Sequence, residues 1–173
     1  MNKIIVNVIL VITLGIIQVS FLTTWPRPIS SLNLILSLVT FLTVLVSYRQ
    51  ALIWAFVAGL FFELYTSLPF GVISLSLMFS VILINFLFSN FFTNRSFYSL
   101  ILLGFVASII YSLFVFLFSL VGVVIFENLY LFDFDFSSTF FWQPILNVLI
   151  LMIIFFTFNF STGKLKNVLF FQS

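Results

Sequence analysis

An all-α polytopic membrane protein, a single-domain bundle of six transmembrane helices, is the fold the sequence predicts. Three observations carry it. Charged residues make up 6% of the 173 positions and hydrophobic ones 64%, where a soluble domain carries roughly 25% and about 45–50%. The apolar residues fall into long runs divided by short polar breaks. The runs are continuous, whereas transmembrane strands alternate apolar and polar positions.

A hydrocarbon core of about 30 Å takes about 20 apolar residues at 1.5 Å each. Residues 4–22 form the first such run; one Lys precedes it and no small-residue cleavage site follows, so it reads as a retained span rather than a cleaved signal peptide. A break with Trp25, Pro26, Arg27 and Pro28 leads to the second span, 32–47, and Tyr48-Arg49-Gln50 separates it from the third, 51–67. Leu68-Pro69-Phe70-Gly71 has the proline and glycine spacing of a type I turn and feeds the fourth span, 72–92. After Thr93-Asn94-Arg95-Ser96 comes an uncharged run of 30 residues, 97–126. It exceeds one untilted crossing, so the fifth span is set at 97–122. Residues 127–136 hold three of the four acids among aromatics and read as a segment at the headgroups. The sixth span, 141–160, carries Pro144 in its first turn, where the missing N–H costs little.

Orientation follows from the cations. Six crossings put Lys3, Arg49, Arg95, Lys164 and Lys166 on one side and Arg27 on the other. The positive-inside rule then makes both termini cytoplasmic.

Composition also narrows the chemistry. The chain has no His and no Cys, which removes thiol nucleophiles, disulfides, imidazole bases and Cys/His metal clusters. Six cations spread along the chain form no basic patch, so nucleic-acid binding is excluded. The residues for phosphoryl or acyl transfer, a base with a metal cage or a glycine-rich cradle, are not there either. The expectation is a non-enzymatic protein without a cofactor, working in the lipid bilayer.

The polar positions inside the spans are then the informative ones. Glu63 stands 12 residues into the third span, about 18 Å along its path. An acid there is costly and faces the bundle interior. One reading makes it a coupling or ligand-contacting carboxylate. The other has it snorkel from the outer end or bond the backbone of the 68–71 turn. Ala55, Gly59 and Glu63 are spaced one turn apart, a small-residue ridge that lets another helix approach closely. Asn7, Val11, Gly15 and Gln18 share one face, and Gln143/Asn147 and Asn85/Ser89 stack at i, i+4. Interhelical hydrogen bonding is the role expected of these. Trp25, Trp54 and Trp142 fall near span ends, as interfacial anchors do, and the aromatic run 114–118 reads as lipid-facing filler.

The segment Gly59-Leu60-Phe61-Phe62-Glu63-Leu64-Tyr65-Thr66-Ser67-Leu68-Pro69-Phe70-Gly71 resembles a hallmark of the MreD family, the rod shape-determining bacterial membrane proteins. There a Gly-Leu stretch leads to an acidic residue, a short polar spacer and Pro-Leu/Phe-Gly. Gln18-Val19-Ser20-Phe21-Leu22 is similar to the family's Gln in the first helix. Ser31-Leu32-Asn33-Leu34-Ile35-Leu36 resembles the opening of its second helix, with Leu32 for Pro and Asn33 for Asp. The resemblance implies a scaffold of the cell-elongation machinery in the bacterial cytoplasmic membrane. It would support peptidoglycan synthesis by docking MreC, RodA, a class B penicillin-binding protein and the actin-like MreB. It marks Gln18, Asn33, Gly59, Glu63, Pro69 and Gly71 as partner-binding or interhelical positions.

A second family of similar size and six helices is the substrate-binding S component of energy-coupling-factor vitamin transporters. Its members dock their coupling subunit through Ala-x-x-x-Ala in the first helix, and residues 4–22 contain no Ala. A buried polar pocket roofed by residues 127–140 would favour it.

Overall fold

The computed structural model describes residues 13, 15–22, 24–26, 28–66, 68–92, 96–126 and 138–162, and these are helical or lie in turns between helices. Lys3, Asn7, Val11, Arg27, Arg95, Lys164, Lys166 and the acidic stretch 127–136 lie outside the described residues. So do the beginning of the first span and both chain ends, on which the six-span count and the orientation rest.

Thr13, Gly15 and Ile16 are helical and lead into a π-helical turn, Ile17–Leu22, which a 3-10 turn, Ile29–Ser31, follows. Among the described residues five longer α-helices come next. α1 spans Leu34–Phe41 and runs on as the π-helical turn Leu42–Val46. α2 is Tyr48–Glu63, α3 is Val72–Phe91 and α4 is Phe97–Phe126. A π turn, Ser138–Trp142, leads into α5, Gln143–Thr162.

Three of these stretches are long and apolar enough to cross a membrane: Val72–Phe91, Phe97–Gly122 and Phe140–Phe158. The protein is therefore a helical membrane protein. α1 with its π turn is shorter, and its interior position explains why it can be. It packs against all four other α-helices, and most of its side chains, from Ile35 to Val44, are buried. Thr40 and Thr43 donate their hydroxyls to carbonyls four residues back. Such back-bonding bends helices, and it falls where the α-helical ladder gives way to the π turn.

Two apolar clusters surround α1. One joins Ile35, Leu36 and Val39 to Ala51, Ala55 and Ala58 of α2, Val72, Ile73 and Leu77 of α3, and Tyr111 of α4. The other joins Phe41 and Val44 to Ile84, Leu100, Leu103, Leu151 and Phe155. The alanines on α2 and the serines on α3 and α4 keep the backbones close. Ser76, Ser80, Ser108 and Ser112 each bond a carbonyl four residues back on their own helix, so the hydroxyls are satisfied without spreading the seam.

Several sequence expectations shift. The helix of the third span ends at Glu63, because Leu64, Tyr65 and Thr66 already leave the helical path and Leu68–Gly71 turn into α3. Trp54, within α2, is partly buried and packs on the first cluster, whereas Trp25 and Trp142 are exposed. The 114–118 run is only partly lipid-facing. Val115 is in the core, and Phe114 and Phe118 pack on Phe79 of α3.

Candidate functional site

A helix begins with N–H groups that no intrahelical carbonyl can take, and in a bilayer water is not there to take them. Among the described residues, the buried Gln18, Asn33 and Asn147 gather at one such beginning, that of α1, and the buried Glu63 at another, that of α3.

At α1, Asn33 is the N-cap, and its Oδ1 accepts from the Leu36 N–H at 2.9 Å. Two other helical segments supply the rest. Gln18 lies in the first π turn; its Oε1 accepts from the Leu34 N–H at 2.8 Å and its Nε2 donates to the Leu32 carbonyl at 2.7 Å. Asn147 of α5 accepts from the Asn33 N–H through Oδ1 at 2.9 Å. Its Nδ2 donates to Ser108 Oγ of α4 at 3.0 Å. Ser37 Oγ bridges the Asn33 and Asn147 carbonyls, and Ser112 Oγ donates to Gln143 Oε1 at 3.2 Å. One neutral amide-and-hydroxyl network thus ties α1, α4, α5 and the first π turn together.

At α3 a single acid replaces that network. Gly71, at φ 97°, takes the left-handed conformation that glycine adopts without strain, and it is the N-cap of α3. It offers no side chain to the first turn. Glu63, the last residue of α2, fills the gap: Oε1 accepts from the Ile73 N–H at 2.8 Å, the Ser74 N–H at 2.9 Å and Ser74 Oγ at 3.1 Å. Glu63 is 5% exposed. Its second oxygen, Oε2, is buried and meets no hydrogen-bond donor among the described residues.

The closeness that lets a glutamate reach across comes from two glycines. A Cβ on Gly59 would stand 2.5 Å from the Ser74 Cα, so only hydrogen fits between α2 and α3 there. A Cβ on Gly122 would stand 2.7 Å from the Pro69 ring, so the end of α4 seats the turn. Tyr111, buried on α4, sits in the first apolar cluster with residues of α1, α2 and α3.

Comparison with protein-family models, with curated proteins and with solved structures returns no match. The geometry of the chain itself is what remains to argue from.

The expected site residues thus fall into two groups. Gly59, Glu63, Pro69 and Gly71 assemble as one hairpin; Gln18 and Asn33 assemble at the other cap. Glu63 bonds backbone, but that of the first turn of α3 at Ile73 and Ser74 rather than that of the 68–71 turn named in the second sequence reading. Gln143 and Asn147 do bond across helices, as their stacking suggests, whereas Ser89 bonds the Phe86 carbonyl of its own helix. Sequence reasoning missed Gly122, Ser74, Ser108 and Tyr111. Their roles depend on partners distant in the chain, 53 positions away for Gly122 and Pro69, and no local pattern announces such pairs. Glu63 is the one acid among the described residues, which contain no group of three possible metal ligands.

Proposed function

We propose that the protein is an MreD-like scaffold of the bacterial cytoplasmic membrane, with six spans and both termini cytoplasmic. It works without catalysis by presenting helix faces to the membrane proteins of the cell-elongation machinery. The observation that carries this reading is the unity of the 59–71 segment. In the motif that this segment resembles, the glycine, the acid and the Pro-x-Gly are fixed relative to one another. Here each has a physical task in one hairpin: Gly59 admits Ser74, Glu63 caps α3, Pro69 seats on Gly122 and Gly71 turns the chain. A motif with such interlocked duties is harder to match by accident than a run of apolar residues.

On this reading the hairpin is the rigid frame, and partners meet the lipid-facing sides of the helices it holds in register. The buried polar residues then serve the bundle, which suits a protein whose product is an assembly rather than a reaction.

The test is affinity purification of the tagged protein from its native host in mild detergent, with the co-purifying proteins identified by mass. Recovery of MreC or of the RodA synthase with its penicillin-binding partner is the expected result. Recovery of an ATPase pair with a coupling membrane subunit would replace the scaffold with a transporter S component.

A further inference from the structure

The turn between α2 and α3 looks in sequence like a loop in water, with Thr66, Ser67, Pro69 and Gly71 in eight residues. Three observations argue otherwise. The first is length. α2 has 16 residues, a rise of about 24 Å, and so falls about 6 Å short of a hydrocarbon core of roughly 30 Å. Its other end carries Arg49 and Gln50, both exposed, and a cation there belongs at the polar boundary. The chain therefore turns before α2 has left the apolar layer.

The second is exposure. Leu64 is 70% exposed, Tyr65 57% and Phe70 75%, and the described residues of the turn include no charge. These side chains also continue surfaces that face lipid along the two helices. Leu64 extends the exposed Ile53, Phe56 and Val57 of α2, and Phe70 leads into the exposed Leu75 and Phe79 of α3.

The third is the backbone. Non-helical chain at membrane depth is tolerated where its polar groups are paired internally. Here the Tyr65 and Thr66 N–H groups donate to the Phe62 and Glu63 carbonyls, that of Val72 to Pro69 and that of Leu75 to Gly71. Glu63 takes the Ile73 and Ser74 N–H groups that follow.

We propose that the turn described at 64–66 and 68–71 is submerged, with Leu64 and Phe70 in contact with acyl chains at the headgroup boundary and Tyr65 at the headgroups. The partner of this surface is the lipid itself. Glu63 then acquires a reason for its inward-turned acceptor: it takes the first N–H groups of α3 where water is scarce. The inference stands on the hairpin alone and is independent of the scaffold reading.

The chain has no cysteine, so single-cysteine variants can be labelled cleanly. Leu64→Cys and Phe70→Cys carry a nitroxide into vesicles of phosphatidylethanolamine and phosphatidylglycerol, with Ile53→Cys as the lipid reference and Gln50→Cys as the aqueous one. Collisions with oxygen report lipid, and collisions with a water-soluble nickel chelate report water. The expected result is an oxygen preference at 64 and 70 matching that at 53. A nickel preference like that at 50 would overturn the proposal, and so would protection from both reagents, which would mean that protein covers the turn. The two positions are read independently, so one poorly folding variant leaves the other to decide.

Discussion

The first turns of α1 and α3 meet the same problem by opposite means. At α1 the unpaired N–H groups are shared among Asn33, Gln18 and Asn147, neutral side chains from three parts of the chain. At α3 one oxygen of Glu63, 10 and 11 residues upstream, takes two N–H groups and a hydroxyl. The difference teaches what each cap is for. A distributed cap made by distant residues holds separate helices in register, and each contributor can be lost with the others still in place. A concentrated cap closes one hairpin and fails all at once.

Replacing the acceptor should therefore have the largest effect. Glu63→Leu leaves the Ile73 and Ser74 N–H groups buried without a partner, at a cost of about 1–3 kcal/mol each. Glu63→Gln keeps an amide oxygen at the same reach and should stay within about 0.5–1.5 kcal/mol of the parent. Denaturation by SDS titration from mild detergent compares the three proteins. Equal losses in both variants would mean that the charge or the packing, not the acceptor, is what the hairpin needs.

Gly59→Val comes next. Its side chain meets the Ser74 backbone rather than a movable side chain, and forced overpacking costs about 1–3 kcal/mol. The same titration should show Gly122→Val to be milder, since the obstacle there is the Pro69 ring.

Gly71→Ala should cost roughly 1–2 kcal/mol, the strain of a left-handed residue with a side chain. Gly71→Asn should recover part of it, because asparagine tolerates that region better. A Gly71→Ala protein as stable as the parent would show that the turn has another conformation open to it.

The smallest effect belongs to the distributed cap. Asn147→Leu removes one contributor, and interhelical hydrogen bonds in membranes average about 0.6 kcal/mol, reaching about 1.7. Gln18→Leu should fall in the same range. The double variant should exceed the sum, since the second loss strips a cap already weakened. Strict additivity would argue against a shared network.

The long helices α3, α4 and α5 were legible in the sequence because a bilayer demands long apolar runs and these three carry no charge. The end of α2 was not, since Leu64 and Tyr65 are as apolar as what precedes them and the first strong breaker is Pro69. What stops the helix is tertiary: Gly59 against Ser74 and Pro69 against Gly122 bring α3 and α4 to where the chain must turn. At the candidate site, the spacing of Gly59 and Glu63 and the turn chemistry of Pro69 and Gly71 could be read locally. That Asn33 would meet Asn147, 114 positions on, could not, because pairing across that separation depends on which helices become neighbours.

The central claim is that the Glu63 carboxyl serves as the missing cap of α3. Amide hydrogen exchange at Ile73 and Ser74 in the Glu63→Gln and Glu63→Leu proteins tests it most directly. Both amides should stay protected in the parent and in Glu63→Gln, and should exchange fast in Glu63→Leu while the later amides of α3 stay slow. Parent-like protection of Ile73 and Ser74 in Glu63→Leu would contradict the account.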